Sequence, residues 1–252
     1  MNKLSAFILT LNSEKYLEEI LVRLRKACDE IVVVDSGSND STEAIAKKEN
    51  VVFLSRAFDN FKNQRAYAVQ HCTHSLVLMI DSDEIPDDEL LSALNSLKRS
   101  DELHDAYRLK REWFVLGKKI HAVYPVVSPD FPVRLFDKRM SNFDQSPVVH
   151  EEPSGYKTIS VLDGTLKHYT FETKKEISEK LERYTSLSAE TLLKKKKSLS
   201  VFQQYLSATA AFLKWYFAKG GWRDGGVGLA LGKYAFDYTF KKYKKARALA
   251  AS

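Results

Sequence analysis

Three acidic side chains fall within four residues at Asp81-Ser82-Asp83-Glu84, directly after the apolar run 75–80. Side chains two apart at the end of a strand point to the same side. Two carboxylates placed so, Asp81 and Asp83, can hold a hard divalent cation, Mg²⁺ or Mn²⁺, against a diphosphate. A second carboxylate, Asp35, closes the run 31–34 and opens the polar turn Ser36-Gly37-Ser38-Asn39-Asp40-Ser41. An ionised carboxylate there accepts hydrogen bonds from a ribose hydroxyl or a base edge. Asn12 follows the first apolar run. The competing use of such acids is to cap the next helix, which Asp87, Asp88 and Glu89 after Pro86 are placed to do.

The elements that must position these groups follow from periodicity. Residues 4–11, 31–34, 51–54 and 75–80 read as strands, the second a continuous β-branched run suited to a parallel strand buried on both faces. Leu17, Ile20, Leu21 and Leu24 give 14–28 a helical apolar stripe, and 42–49 and 60–71 also read as helices. Strands alternating with helices imply βαβ units and a mostly parallel sheet. In such a sheet ligands bind beyond the carboxyl ends of the strands, where Asn12, Asp35, Asp81 and Asp83 fall. From 106 to 168 the pattern changes to short strands, such as 107–111 and 133–136, between Pro- and Gly-containing loops. That part reads as mixed or antiparallel. After Thr173 the chain reads as helix to its end.

The charge is divided unevenly. The 252 residues carry a net charge of +6, but residues 1–160 hold 21 basic and 25 acidic side chains, while 161–252 hold 18 and 8. All six prolines lie between Pro86 and Pro153. Ordinary apolar and charged fractions, 44% and 29%, exclude a disordered or fibrous chain. Cys28 and Cys72 have no metal-site spacing and read as buried thiols in a reducing compartment. No signal-like leader and no run of about 18 apolar residues is seen. A basic tail points to a polyanionic partner.

With these segments in view, the sequence resembles family 2 glycosyltransferases of the GT-A fold. The resemblance lies in Thr10-Leu11-Asn12 at the end of the first strand, in Val33 to Thr42 (Val-Val-Asp-Ser-Gly-Ser-Asn-Asp-Ser-Thr), and in Asp81-Ser82-Asp83-Glu84. Later segments are similar to the subgroup that adds glucose to the inner-core heptose of bacterial lipopolysaccharide. These are Pro129-Asp130, Arg134-Leu135-Phe136, Pro147-Val148-Val149-His150-Glu151 and Leu166-Lys167-His168-Tyr169. Many relatives have Asn-Glu after the first strand; here Ser13 follows Asn12, and Glu14 keeps the next acidic position.

The resemblance implies a UDP-sugar donor, UDP-glucose first, a divalent metal, and inversion at the anomeric carbon. Thr10, Asn12, Glu14 and Asp35 would then meet the nucleotide. Lys62 and Arg65 match the family's polar stretch near it, although a solvated helix face explains them as well. Inversion by direct displacement needs a base for the acceptor hydroxyl and a countercharge for the departing diphosphate. Asp83, with Asp81, serves the second need. Glu151 is the first choice of base and Asp130 its rival. His150 would orient Glu151 or touch the metal. His168 would be a further metal ligand, a phosphate contact, or a structural histidine. Arg134 would pair with diphosphate through its planar fork or form a structural ion pair.

The tail holds 12 of the 29 aromatic residues between Val201 and Tyr243. Phe202, Tyr205, Leu206, Thr209, Phe212, Leu213, Tyr216 and Phe217 form a helical stripe, with Lys194 to Lys197 before it and Lys214, Lys219 and Arg223 around it. A basic helix with an aromatic face suits an anionic membrane surface, or packing on the catalytic part. Six of ten glycines lie between Gly220 and Gly232, where they suit close helix packing or a hinge. No nucleic-acid-binding motif is present.

The expectation is an α/β catalytic domain at 1–172 and a basic helical, membrane-associating tail at 173–252. The enzyme would act peripherally on the cytoplasmic face of a bacterial inner membrane, on a lipid-linked lipopolysaccharide core. A nucleotidyltransferase is the rival enzyme. It would be expected to show a glycine-rich loop near the first strand, yet Gly37 is the first glycine. A catalytically silent sugar-nucleotide-binding protein is the rival from another class.

Overall fold

The computed structural model describes residues 1–143, 152–194 and 200–251. They form two compact units, one of residues 1–111 with 131–168, the other of 112–130 with 169–252.

The first unit is α/β. Strands β1 (Leu4–Thr10), β2 (Glu30–Asp35), β3 (Val52–Ser55) and β4 (Leu76–Asp81) run parallel in the order β3-β2-β1-β4. Between them lie α1 (Glu14–Leu24), α2 (Thr42–Lys48) and α3 (Phe61–His71). The order alternates as expected because β1, β2 and β4 are short, mainly apolar and almost wholly buried, so that helices must cover them, while β3 closes the edge half-exposed. On one face Phe7, Val32, Val34, Val77 and Met79 pack with Ala68 and Cys72 of α3 and its end. Leu17, Ile20, Leu21 and Leu24 are the buried stripe of α1. That helix stops at Leu24 rather than Cys28, because residues 25–27 close into a turn.

Next come β5 (Glu84–Pro86), α4 (Asp88–Leu97), β6 (Ala106–Val115), β10 (Val133–Asp137) and β11 (Ile159–Phe171). The numbers between belong to β7 (Lys118–Lys119), β8 (Ala122–Val123) and β9 (Val126–Val127). Beyond β4 the sheet continues β10-β6-β11-β5, with β10 antiparallel to β4 and β6, and β11 antiparallel to β5. The fold is therefore the expected one, a mostly parallel sheet with a smaller mixed part. The strands of that part are longer than the sequence pattern suggests, ten residues in β6 and thirteen in β11. Gly164 does not break β11. At φ +94° it lets the strand approach α4, where an added Cβ would lie 2.2 Å from the Leu90 nitrogen. Asp87 caps α4 by accepting from Leu90 N–H at 2.8 Å and also accepts from Thr165 N–H at 3.0 Å.

The second unit is mainly helical: α5 (Lys174–Lys194), α6 (Val201–Leu213) and α7 (Gly225–Ala251). A π-type turn at Lys214–Ala218 and a 3₁₀ turn at Gly221–Asp224 join the last two. Its core joins Leu181, Leu231 and Tyr234 of the helices to Val115, Ile120, Val123 and Phe171. Of the two uses read for the glycines, close packing is seen. Gly220 turns the chain at φ +82°, and Gly228 packs so tightly that a Cβ would sit 1.8 Å from the Gly221 carbonyl oxygen. Asp224, its side chain 2% exposed, accepts from the backbone N–H of His121 at 2.9 Å and lies 2.6 Å from its Nδ1. Among the described residues no helix is long and apolar enough to cross a membrane.

Candidate functional site

The carboxyl ends of β1, β2 and β4 lie side by side, Thr10 opposite Asp35 and Leu9 opposite Asp81. Asp35 is 4% exposed. Its Oδ1 accepts from Thr10 Oγ1 at 2.8 Å and Ser38 Oγ at 2.5 Å, and its Oδ2 from the N–H groups of Gly37 and Ser38 at 2.9 and 2.8 Å. Burial alone would raise its pKa. Hydrogen bonds from Ser38, Thr10 and Gly37 outweigh that and hold it below the ordinary carboxylate value. Asp35 is thus ionised and shapes the 36–41 turn.

Asn12, at φ +52°, accepts from Asn39 N–H at 2.9 Å, and Glu14 accepts from Ser41 N–H at 3.0 Å. Both therefore hold the same turn from across the sheet end. Ser13 donates from its hydroxyl to Ser82 Oγ at 3.0 Å. It links the first loop to the Asp81–Asp83 turn.

At β4 the acidic triplet sits in a charged network. Arg134, 4% exposed on β10, places Nη2 2.5 Å from Asp81 Oδ2 and 2.5 Å from Glu84 Oε1. Arg111 Nη1 lies 2.9 Å from the same Glu84 oxygen, and Arg65 Nη2 is 3.6 Å from Asp81 Oδ1. Glu84, wholly buried, also accepts from Asp81 N–H at 3.1 Å. Burial would raise the Asp81 pKa, but Arg134, then Arg65 and Arg111, hold it far below the ordinary range. Of the two readings open for Arg134, the ion pair is the one seen.

Asp83 is placed differently. Its side chain is 34% exposed, and its Oδ2 lies 3.3 Å from His168 Nε2. His168, on β11, stands opposite Glu84 in the strand register, with Nδ1 3.7 Å from Glu84 Oε1. An aspartate oxygen beside an imidazole nitrogen is a donor pair suited to Mn²⁺ and tolerated by Mg²⁺. Among the described residues no group of three or more His, Cys, Asp or Glu side chains forms a ready metal cage.

The structure therefore brings Thr10, Asn12, Glu14, Asp35, Arg65, Asp81, Asp83, Arg134 and His168 to one sheet edge. Lys62 is half-buried on α3. Asp130 belongs to the second unit and accepts from Trp113 Nε1 at 2.9 Å. His150 and Glu151 lie outside the described residues. Three contributors lay beyond the sequence reading. Glu84 was visible only as the residue after the triplet. Arg111 gave no signal beyond its place in a strand. Gln64, wholly buried on α3, donates to Ser36 Oγ at 2.9 Å and so supports the Asp35 turn.

Comparison with known proteins fits this geometry. Residues 5–117 match the profile described as glycosyl transferase family 2. The lipopolysaccharide core biosynthesis glycosyltransferase LpsC of Rhizobium meliloti (strain 1021) is 28% identical, over 96% of this chain and 92% of that protein. An uncharacterized glycosyltransferase of Rickettsia typhi, RT0209, is 25% identical over 87% of this chain and 78% of its own. Among solved structures, glucosyl-3-phosphoglycerate synthase of Mycobacterium tuberculosis, in complex with Mn²⁺ and UDP-glucose, aligns with a TM-score of 0.37 at 20% identity. That alignment covers 45% of this chain and 44% of that one, less than half of each. The match to glycosyl transferase family 2 spans residues 5–117, the part of the chain that contains the Asp35 turn and the Asp81–Asp83 turn.

Proposed function

We propose that the protein transfers a hexose, glucose first, from a UDP-sugar to the inner core of lipopolysaccharide, with inversion and with a divalent cation. The observation that carries this is the placement, on one sheet edge, of the ionised Asp35 turn and of Asp83, both within the segment matching family 2, beside His168 of β11. The similarity to LpsC along nearly the whole chain supports the choice of acceptor.

Each group has a distinct task. Asp35, with Thr10, Asn12 and Glu14 around its turn, receives the nucleoside. Asp83 and His168 would hold Mg²⁺ or Mn²⁺, which when bound neutralises charge on the leaving diphosphate. Asp81 is engaged by Arg134 and Arg65, so it fixes the turn and stands second to Asp83 as a ligand. In the transfer the acceptor oxygen forms a bond to the anomeric carbon as the bond to the diphosphate breaks. The base takes the acceptor proton, and UDP leaves. Glu151 is our choice of base and Asp130 its rival. We place residues 1–172 as the catalytic part and 173–252 as the membrane-associating part. The reaction would occur at the anionic cytoplasmic surface of a bacterial inner membrane, because the acceptor is lipid-linked.

The test is UDP release from a panel of UDP-sugars, with truncated core lipopolysaccharide as acceptor and Mn²⁺ present. Wild type releases UDP with one donor and forms product, and Asp83→Ala stays folded but loses transfer. If wild type neither binds nor hydrolyses any UDP-sugar, the proposal fails.

A further inference from the structure

The helix α6 has two faces with opposite fates. One packs on α7: Ala208 is buried, and Gln204 Nε2 donates to the Phe240 carbonyl at 2.9 Å; Trp215, in the π-type turn that follows, is buried as well. The other is bare and apolar. It presents Phe202 (77% exposed), Tyr205, Leu206 and Leu213, and Phe217 continues it at 56%. No charged residue interrupts the helix itself. An open apolar groove of about 510 Å³ lies between α6 and α7, lined by Phe212, Leu229, Ala230 and Phe236, with Lys233 among its walls. Isolated exposed apolar residues need no explanation, but a contiguous face on one helix does.

Charge decides what covers it. From Val201 to Arg223 the sequence has no carboxylate, while Lys214, Lys219 and Arg223 stand exposed where the helix ends. The chain also enters α6 from Lys194-Lys195-Lys196-Lys197. A second copy docking by this face, in either direction, would set basic ends against basic ends. An anionic lipid surface meets both features: acyl chains take the apolar face and headgroups the lysines. Trp222, 54% exposed with the Arg223 guanidinium 5.5 Å from its ring centre, suits the headgroup level.

Resting on the membrane-surface reading above, we propose that α6 is the docking element. It would lie in the plane of an anionic bilayer, with its bare face and the adjoining groove toward the acyl chains and Lys214, Lys219 and Arg223 at the headgroups.

The experiment is co-sedimentation of the full chain with phosphatidylcholine vesicles, with and without about one-third phosphatidylglycerol. Wild type is expected to sediment with the anionic vesicles. The double variant Phe202→Glu/Phe217→Glu loses about tenfold or more of that partition. Lys214→Gln/Lys219→Gln loses about fivefold per lysine and shows a weaker salt dependence. Val161→Glu, at an exposed apolar site of the first unit, partitions like wild type. All five substituted positions are exposed, so melting temperatures should stay near wild type and report intact folding. UDP-sugar binding without vesicles is unchanged in every variant, which separates failure of docking from failure of the transferase reading. The proposal is overturned if wild type ignores anionic vesicles, or if the glutamate variant binds them as well as wild type. It is equally overturned if that variant only dissociates a dimer.

Discussion

Arg134 keeps its charge at 4% exposure because Asp81 and Glu84 meet it with hydrogen-bonded oxygens. Such a group is secure as a set and costly in part, since removing one partner strands a buried charge. Glu84→Gln is therefore expected to cost about 3 kcal/mol or more of stability, measured by denaturant unfolding. Asp83→Asn, at a half-exposed site, should change stability by less than about 1 kcal/mol yet reduce transfer at least about a hundredfold. Asp35 gives a pH test. Its native pKa is depressed, so its contribution is complete above about pH 4, the ordinary carboxylate value, and is lost as pH falls through the lower native one. Asp35→Asn should flatten the dependence of melting temperature on pH below about pH 4. Asp35, Asp81 and Asp83 were legible in the sequence because each closes an apolar run. Glu84 and Arg111 were not, since 27 residues separate partners that only the sheet brings together.

Among the elements, the parallel strands were readable because each is a local, mainly apolar run, and α1 because its stripe has helical spacing. The antiparallel part was harder. Its long strands β6 and β11 alternate buried and exposed positions, and their partners lie far away in the chain. Gly164 lies within β11, and its missing side chain is what allows the strand to pass Leu90. Gly164→Ala is expected to destabilise the protein by about 2 kcal/mol or more, through both the clash and the positive φ. A calorimetric melting temperature within a degree of wild type would contradict that account.

Across the molecule, the net charge of +6 conceals a mildly acidic first 160 residues and a strongly basic remainder. That division was readable from counting alone. The inclusion of residues 112–130 with the helices was not, because it rests on Val115, Ile120 and Val123 packing with Leu231 and Tyr234. It changes how the helices should be tested. Removing residues 200–252 would also uncover that core, so the truncated protein is expected to aggregate or lose cooperative melting of the second unit, seen by calorimetry. Point substitutions on the bare face of α6 avoid this.

The tie between His121 and Asp224 has an effect beyond holding a turn. Asp224 is the single carboxylate between Ser200 and Lys233, and it is turned inward with its side chain 2% exposed. The carboxylate of that stretch is directed to His121. Lys214, Lys219, Arg223 and Lys233 thus lie in a carboxylate-poor stretch, whose charge an anionic surface would meet.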